Sequence, residues 1–328
     1  MIELWNPDEL IKREECPVCA APLGRTVAKR VDGLAVRDCP YCAALYVDPA
    51  PNFAALARCY GPDYFIAKTN ETRRSSAPYQ HYSFIGPNKS YQISDAYIAA
   101  GKVQGHDEIL SNFDLRGKKI LEIGCATGAL LQSLKKYSPA RLVGIDIAAE
   151  QIEYGRRNYK DVELHCGTLE NLDLEDEFDL ILMLDILEHV YAPSTFFRSV
   201  CGSLRPHGSI FIRTPNGKAF DAAGSHWSYL FWGLEHLTYT RPTTLNWLSA
   251  RNGLALRKTW SKGCPGETPL RYWSERRIVR LVRHPLTSLS NRFCRASTRY
   301  FENNGQGLDI FALILRPPHQ GHPYSVQV

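Results

Sequence analysis

The sequence has no long hydrophobic run. Its longest apolar stretch, residues 180–190, is interrupted by Asp185, Glu188 and His189, and it is much shorter than the roughly 20 residues that a membrane-spanning helix needs. The first residues also lack a basic segment followed by an apolar one, which is the pattern of a secretory signal. We therefore expect a protein of the cytoplasm.

An excess of charge of one sign is also missing. The formal net charge is +5 over 328 residues, which is too small to require nucleic acid as a partner but is compatible with an anionic small molecule. Internal repeats and low-complexity segments are absent as well. With 44% hydrophobic residues, the chain can bury one large α/β domain and a smaller attached one.

Cysteine, in contrast, is frequent and partly ordered in pairs. Without a signal peptide, clustered cysteines more often bind metal than form disulfides. Cys16 and Cys19 form one C-x-x-C pair, Cys39 and Cys42 form a second, and 19 residues separate the pairs. This spacing is typical of a zinc ribbon, in which four thiolates hold the ion tetrahedrally and leave no open position for catalysis. We predict a structural Zn²⁺ there; the alternative is four unrelated buried cysteines.

Downstream, short apolar runs alternate with amphipathic segments, which indicates βαβ units and a parallel sheet. Strands are predicted at 119–123, 141–146, 162–165, 178–184, 209–214, 255–260 and 309–315. The expected fold is α/β, with a seven-stranded mostly parallel sheet and helices on both faces. The expected domains are a zinc ribbon at 1–50, a connector or lid at 51–90, and an α/β domain at 91–320 with a basic helical insertion near 270–300.

A glycine-punctuated turn follows the first of these strands. Residues 120–131 read Ile-Leu-Glu-Ile-Gly-Cys-Ala-Thr-Gly-Ala-Leu-Leu, so an apolar strand enters a turn that opens a helix. Gly124 and Gly128 allow the backbone to approach a ligand, and the free N–H groups of the helix favour a carboxylate or phosphate. A nicotinamide site would favour G-x-G-x-x-G, which this turn lacks. The single Gly-x-x-x-Gly spacing after Glu122 favours S-adenosylmethionine.

Asp146 ends the next strand, 22 residues beyond Gly124. An acidic side chain at about this spacing reaches the ribose of a bound nucleoside. A carboxylate suits that task because its two oxygens accept hydrogen bonds from both ribose hydroxyls. The alternative interpretation is an aspartate of a surface turn.

These segments resemble the class I S-adenosylmethionine-dependent methyltransferases, and the N-terminal pattern resembles the zinc ribbons fused to such enzymes in sugar and natural-product pathways. The resemblance implies a Rossmann-like fold in which Glu122 helps to hold the methionine end. Ala126 stands where the family usually has the middle glycine of the turn, and Thr168 stands where an acidic residue is common. The cofactor-binding residues that it implies are Glu122, Gly124, Cys125, Ala126, Gly128, Asp146, Ile147, Thr168, Leu169 and Asp185.

Residues 178–190 resemble the fourth strand of the family and the loop after it, which ends here in Glu188-His189-Val190. Ligands of open α/β sheets lie beyond the carboxyl ends of the strands, so this loop is expected near the transferring methyl group. Methyl transfer needs a nucleophile relieved of its proton, and imidazole is the natural base. The candidate catalytic residues are His236, His189 and Glu188, with His236 preferred; the alternative for either histidine is a structural, hydrogen-bonded role.

The predicted function is transfer of a methyl group to an oxygen or carbon of a small molecule, such as a nucleotide sugar or a natural-product intermediate. The alternatives are an RNA methyltransferase and a non-catalytic protein that keeps the cofactor fold. The sequence lacks the Asn/Asp-Pro-Pro-aromatic motif by which methyltransferases of nucleobase amines resemble one another. The basic segment at 271–283 leaves three roles open: a solvated face, membrane contact, or binding of an anionic substrate.

Overall fold

The structure is a computed structural model. It describes residues 4–58, 105–171, 178–231, 233–263 and 299–317. The predicted connector or lid at 51–90 and the basic insertion near 270–300 lie for the most part outside these ranges. Within them, no helix combines the length and the apolar character needed to cross a membrane.

Short strands organise the N-terminal part of the chain. They are β1 (Leu10–Ile11), β2 (Arg25–Lys29), β3 (Ala35–Asp38), β4 (Leu45–Asp48) and β5 (Ala50–Pro51). Strands β2, β3 and β4 form an antiparallel meander, and β1 pairs with β5. The helix α1 (Phe53–Arg58) follows directly.

A seven-stranded sheet forms the main body of the protein. Its strands are β6 (Lys119–Ile123), β7 (Arg141–Asp146), β8 (Glu163–Cys166), β9 (Phe178–Leu184), β10 (Leu204–Pro215), β12 (Ala255–Lys262) and β13 (Asp309–Leu315). Their order across the sheet is β12-β13-β10-β9-β6-β7-β8. The strands from β10 to β8 are parallel, and β13 runs antiparallel to both of its neighbours. The predicted mostly parallel, seven-stranded Rossmann-like sheet is confirmed.

Helices cover both faces of this sheet because successive strand residues point to opposite sides and both sides are apolar. The helices are α2 (His106–Asn112), α3 (Ala129–Leu134), α4 (Ala149–Asn158), α5 (Pro193–Gly202), α6 (Gly217–Ala223) and α7 (Pro242–Arg251). Leu121 of β6 lies in one buried cluster, which α5 and α7 share. The adjacent Ile120 lies in the other, which α2, α3 and α4 share.

The N-terminal sheet is continuous with the rest of the chain. A two-residue strand, β11 (Thr238–Tyr239), pairs antiparallel with β4. This pairing places β11 at the end of a four-stranded sheet of order β11-β4-β3-β2. Cys16, Cys39 and Cys42 also belong to the buried cluster that contains Leu121. Residues before 50 therefore share both a sheet and a hydrophobic core with the α/β part of the chain.

Candidate active site

The predicted site residues gather at one edge of the large sheet. After β6 the chain adds β7 and β8 on one side, and then returns to add β9 on the other. The strand order therefore reverses between β6 and β9, and ligands of open α/β sheets bind beyond the carboxyl ends of strands at such a point. Gly124 follows β6, Asp146 ends β7, and Asp185 follows β9 at this edge.

The turn after β6 depends on backbone conformations that favour glycine. Gly124 and Gly128 have φ of 76° and 81°, and a Cβ at Gly124 would overlap the Cδ1 of Ile186. Ala126 also takes a positive φ, 51°, which costs an alanine about 1 kcal/mol. The conformation expected of the middle glycine is therefore kept, although the residue is alanine. Gly124 N–H donates to the carbonyl of Ile145 at 2.7 Å and fixes the turn against β7.

Asp146 binds the glycine turn directly. Its Oδ2 accepts from the N–H of Ala126 and its Oδ1 from the N–H of Ala148, both at 2.8 Å. Burial raises the pKa of Asp146, although these backbone hydrogen bonds oppose the shift. Each carboxylate oxygen has a second acceptor position, so both remain able to accept a ligand hydroxyl. The turn thus orients Asp146 before any ligand binds.

Glu122, near the end of β6, is a buried acid next to the glycine turn. It is 5% exposed, and its Oε2 has no hydrogen-bond partner among the described residues. Burial, with a smaller contribution from the charge of Asp146, raises the pKa of Glu122 well above its ordinary value. A buried acceptor of this kind is costly unless a ligand satisfies it. The α-ammonium group of S-adenosylmethionine is a cation that would do so, and the cofactor therefore fits the residues present.

The remaining predicted cofactor residues fall into two groups. Cys125 and Leu169 are buried in the hydrophobic clusters, so only their backbone atoms are available to a ligand. Ile147 is 46% exposed beside Asp146, and Thr168 is half-buried after β8. An exposed apolar side chain next to the acid that is predicted to bind the ribose offers a surface on which an aromatic base can pack.

The structure brings the three predicted catalytic residues together. Glu188 is 1% exposed, and its Oε2 accepts from the hydroxyl of Thr214 at 2.9 Å. The Nε2 of His189 lies 4.0 Å from the Oε1 of Glu188. The rings of His189 and His236 meet edge to face with centroids 4.6 Å apart. Residues more than 40 positions apart in the chain thus form one polar cluster beside the glycine turn.

An arginine that was not predicted from the sequence lies at the same edge of the sheet. Arg213 of β10 is 9% exposed and forms ion pairs with Asp185 at 3.2 Å and Asp309 at 2.9 Å. The surrounding protein desolvates Asp185, although 39% of its side-chain surface is exposed, and this raises its pKa to about 6, against the attraction of Arg213. Tyr229 donates to Asp309 at 2.9 Å. The sequence did contain a signal for Arg213, because a charged residue inside the apolar run 209–214 is unusual and needs a partner.

Another arginine holds the segment that carries His236. Arg30, which is 2% exposed, donates to the carbonyls of His236 and Leu234, both at 2.7 Å. Its Nη2 also pairs with Asp32 at 2.5 Å. The N–H of Leu237 donates to the carbonyl of Glu188 at 2.7 Å. Residues 234–237 are therefore fixed on one side by the N-terminal sheet and on the other by the loop that carries Glu188 and His189.

The four paired cysteines lie close enough together to hold one metal ion, since their Sγ atoms are within 4.8 Å of one another. The Sγ atoms of Cys16 and Cys42 are 3.7 Å apart, and those of Cys19 and Cys39 are 3.5 Å apart. Zinc–sulfur bonds of about 2.3 Å place tetrahedral ligands about 3.8 Å from one another. In each C-x-x-C turn the carbonyl of the first cysteine accepts from the N–H of the residue four positions later, at 2.9 and 3.0 Å. The arrangement is compatible with a zinc ribbon.

Residues 97–259 match the family model described as a methyltransferase domain. This segment is a methyltransferase domain. The match contains every predicted cofactor-binding and catalytic residue and begins after the four paired cysteines. Glu122, Asp146 and the glycine turn therefore lie in the part of the chain that the family describes.

Curated relatives match part of this chain. A ubiquinone biosynthesis O-methyltransferase of Neisseria meningitidis is 32% identical over 117 residues, 34% of this chain and 49% of that protein. A malonyl-[acyl-carrier protein] O-methyltransferase of Priestia megaterium is 30% identical over 148 residues, 43% of this chain and 54% of that protein. The chain thus spans about half the length of these relatives. A solved S-adenosylmethionine-dependent methyltransferase from Mesorhizobium loti aligns with a TM-score of 0.42 and 18% identity, over 62% of this chain and 93% of that one.

Proposed function

We propose that this protein transfers a methyl group from S-adenosylmethionine to an oxygen of a small molecule. The unsatisfied, buried Oε2 of Glu122 beside the glycine turn is the observation that carries the proposal. It supplies an acceptor for the cofactor's ammonium group, and Asp146 at the end of the adjacent strand supplies acceptors for the ribose hydroxyls. Transfer to carbon was equally open from the sequence; the relatives named as O-methyltransferases favour oxygen.

The polar cluster of Glu188, His189 and His236 is the proposed catalytic centre. In the transfer, a lone pair of the acceptor oxygen forms the new bond to the methyl carbon. The carbon–sulfur bond breaks and its electrons stay on sulfur, which leaves S-adenosylhomocysteine. In the simplest form of this step, His236 takes the proton that the acceptor hydroxyl loses, while Glu188 and His189 hold the ring in place.

The N-terminal cysteines are proposed to bind one Zn²⁺ with a structural role. A shell of four thiolates leaves no open coordination position, so it does not activate a substrate. Its effect on the reaction would pass through Arg30, which connects the N-terminal sheet to the backbone of His236. The proposed acceptor is a small molecule, such as a nucleotide sugar or a biosynthetic intermediate.

Calorimetric titration with S-adenosylmethionine and S-adenosylhomocysteine tests the proposed cofactor. We expect micromolar binding, and at least a tenfold loss of affinity in Glu122→Gln and Asp146→Asn. Glu14→Gln, an exposed acid in the N-terminal part, is the matched control and should bind normally. If the unmodified protein bound neither ligand, the proposal would be wrong and the non-catalytic alternative would gain. Labelled methyl transfer to candidate acceptors, RNA included, then identifies the substrate.

A further inference from the structure

The cluster of Glu188, His189 and His236 also has the composition of a metal site. One ligand atom from each residue, a carboxylate oxygen and two imidazole nitrogens, lies within 4.8 Å of the others. Ligands about 2.0–2.2 Å from a common ion are separated by roughly 3–4 Å. The pair Glu188 Oε1 and His189 Nε2, at 4.0 Å, is already within that range. Small side-chain rotations would bring the third atom to a shared ion.

We infer that Glu188, His189 and His236 bind a divalent first-row transition-metal ion at a site separate from the four cysteines. Two imidazoles and one carboxylate are hard-to-intermediate ligands, which suit ions from Mn²⁺ to Zn²⁺, whereas four thiolates select zinc. The inference rests on the proposed function and deepens it, because it identifies the group that activates the acceptor oxygen.

The surroundings of Glu188 support this assignment. Its Oε2 is held by the hydroxyl of Thr214, and its Oε1 lies 4.0 Å from the Nε2 of His189. Such a hydrogen bond to the second oxygen is how proteins orient a ligating carboxylate. Among the described residues, neither lysine nor arginine forms an ion pair with Glu188, and Arg213 is engaged by Asp185 and Asp309. A carboxylate that is 1% exposed therefore lacks a fixed cation, and a metal ion would supply one.

Three protein ligands leave coordination positions open, as catalytic metal sites require. An acceptor hydroxyl in one of them would lose its proton to solvent water more readily, because the ion would stabilise the alkoxide or phenolate. That oxygen then forms the bond to the methyl carbon, and the electrons of the carbon–sulfur bond remain on sulfur. In this form of the reaction His236 serves as a metal ligand and not as the base, and the ion lowers the pKa of the acceptor hydroxyl.

Manganese is a suitable probe because it is paramagnetic and does not favour thiolates. Protein with zinc bound to its cysteines is titrated with Mn²⁺, and the free ion is followed by electron paramagnetic resonance. We expect one Mn²⁺ per chain, with at least tenfold weaker binding in Glu188→Gln and His236→Gln. His226→Gln changes an exposed histidine of a nearby turn, and it should bind Mn²⁺ as the unmodified protein does.

Two further measurements keep the outcomes distinct. Calorimetry with S-adenosylhomocysteine on the same samples reports whether each variant keeps its cofactor site. Electron spin echo spectroscopy of the unmodified protein should detect two directly bound histidine nitrogens on Mn²⁺, a result that depends on no variant. Unmodified protein that binds S-adenosylhomocysteine but not Mn²⁺, or binds Mn²⁺ without histidine nitrogens, overturns the metal site alone. Failure to bind S-adenosylhomocysteine counts instead against the proposed function.

Discussion

Gly124 is the position in the glycine turn that tolerates a side chain least. Its positive φ and the side chain of Ile186 each oppose a Cβ there. We expect Gly124→Ala to weaken S-adenosylmethionine binding at least tenfold and to lower the free energy of unfolding by more than the roughly 1–2 kcal/mol of left-handed strain. Calorimetry and urea denaturation measure the two effects.

Gly117 provides a matched control for this substitution. Its φ of 69° is similar, but apart from its chain neighbours no described residue has an atom within 4 Å of the position that a Cβ would take. Gly117→Ala should therefore show the strain of about 1 kcal/mol alone, with unchanged cofactor affinity. Equal losses in the two variants would mean that the contact with Ile186 is unimportant.

Glu122 gives the ligand-free protein a pH-dependent stability. Because burial raises its folded-state pKa above the ordinary 4.5, Glu122 stabilises the fold most fully below that value. This contribution is lost as the pH rises through the folded-state pKa. The glutamine in Glu122→Gln does not titrate. The melting temperature of this variant minus that of the unmodified protein should therefore increase with pH. Scanning calorimetry across the acidic to neutral range tests this; a difference independent of pH would contradict it.

Bound S-adenosylmethionine should favour the ionised form of Glu122, whereas the ligand-free fold favours the neutral form. Only the ionised carboxylate pairs with the ammonium group of S-adenosylmethionine, so affinity for the cofactor should rise as the pH rises through the raised pKa of Glu122. The Gln variant should bind weakly, with little dependence on pH from this group. Titrations at several pH values measure the slope, and equal slopes in both proteins would exclude Glu122 as the ammonium partner.

At the scale of elements, the segment between Gly233 and β11 depends on Arg30. Arg30→Lys keeps the charge but cannot make the same set of hydrogen bonds to Asp32, Leu234 and His236. We expect kcat to fall at least tenfold, because the backbone of His236 loses its support. The affinity for S-adenosylhomocysteine should stay within about twofold, because Arg30 does not contact the glycine turn. Arg25→Lys, an exposed arginine of β2, should leave both unchanged. Parallel loss of kcat and cofactor affinity would point to general unfolding instead.

Strands buried on both faces were predictable from the sequence. The bounds of β6, β7, β9 and β13 agree with the prediction, since a short, mostly apolar run can be recognised from its own residues. Strand β10 begins at Leu204 rather than at Ser209, because its pairing with β9 shifts register between those residues. That irregularity leaves no periodic signal in the sequence.

Pairings between distant segments were not predictable. Strand β11 has two residues, and its partner β4 precedes it by about 190 positions. A sequence pattern cannot indicate such a strand, because the partner and not the local residues defines it. The same limit applies to Arg30, whose acceptors are backbone carbonyls. The proposed catalytic cluster, in contrast, was predictable from side-chain chemistry and from the resemblance, and the structure places its three members together.

At the scale of the whole molecule, the paired cysteines and the large sheet share one core. We expect the zinc-loaded protein to unfold in one transition, seen alike by far-UV and near-UV circular dichroism. Cys39→Ser should lower the melting temperature of the entire protein, because zinc binding contributes directly to folding free energy. Cys166→Ser, an exposed cysteine, is the control. Two separate transitions, with the variant affecting only the first, would show that the N-terminal part is independent.

The long separation between Arg30 and its acceptors has a consequence for synthesis on the ribosome. Arg30 and Leu234 are 204 positions apart, and Asp38 and its ion-pair partner Arg241 are 203 apart. At roughly 5–20 residues per second, the segment that completes the N-terminal sheet emerges about 10–40 s after β4. During that interval the nascent chain exposes an unpaired strand edge and a guanidinium without its carbonyl acceptors. The N-terminal sheet is thus translated before the α/β part of the chain, but it is completed only after most of that part has emerged.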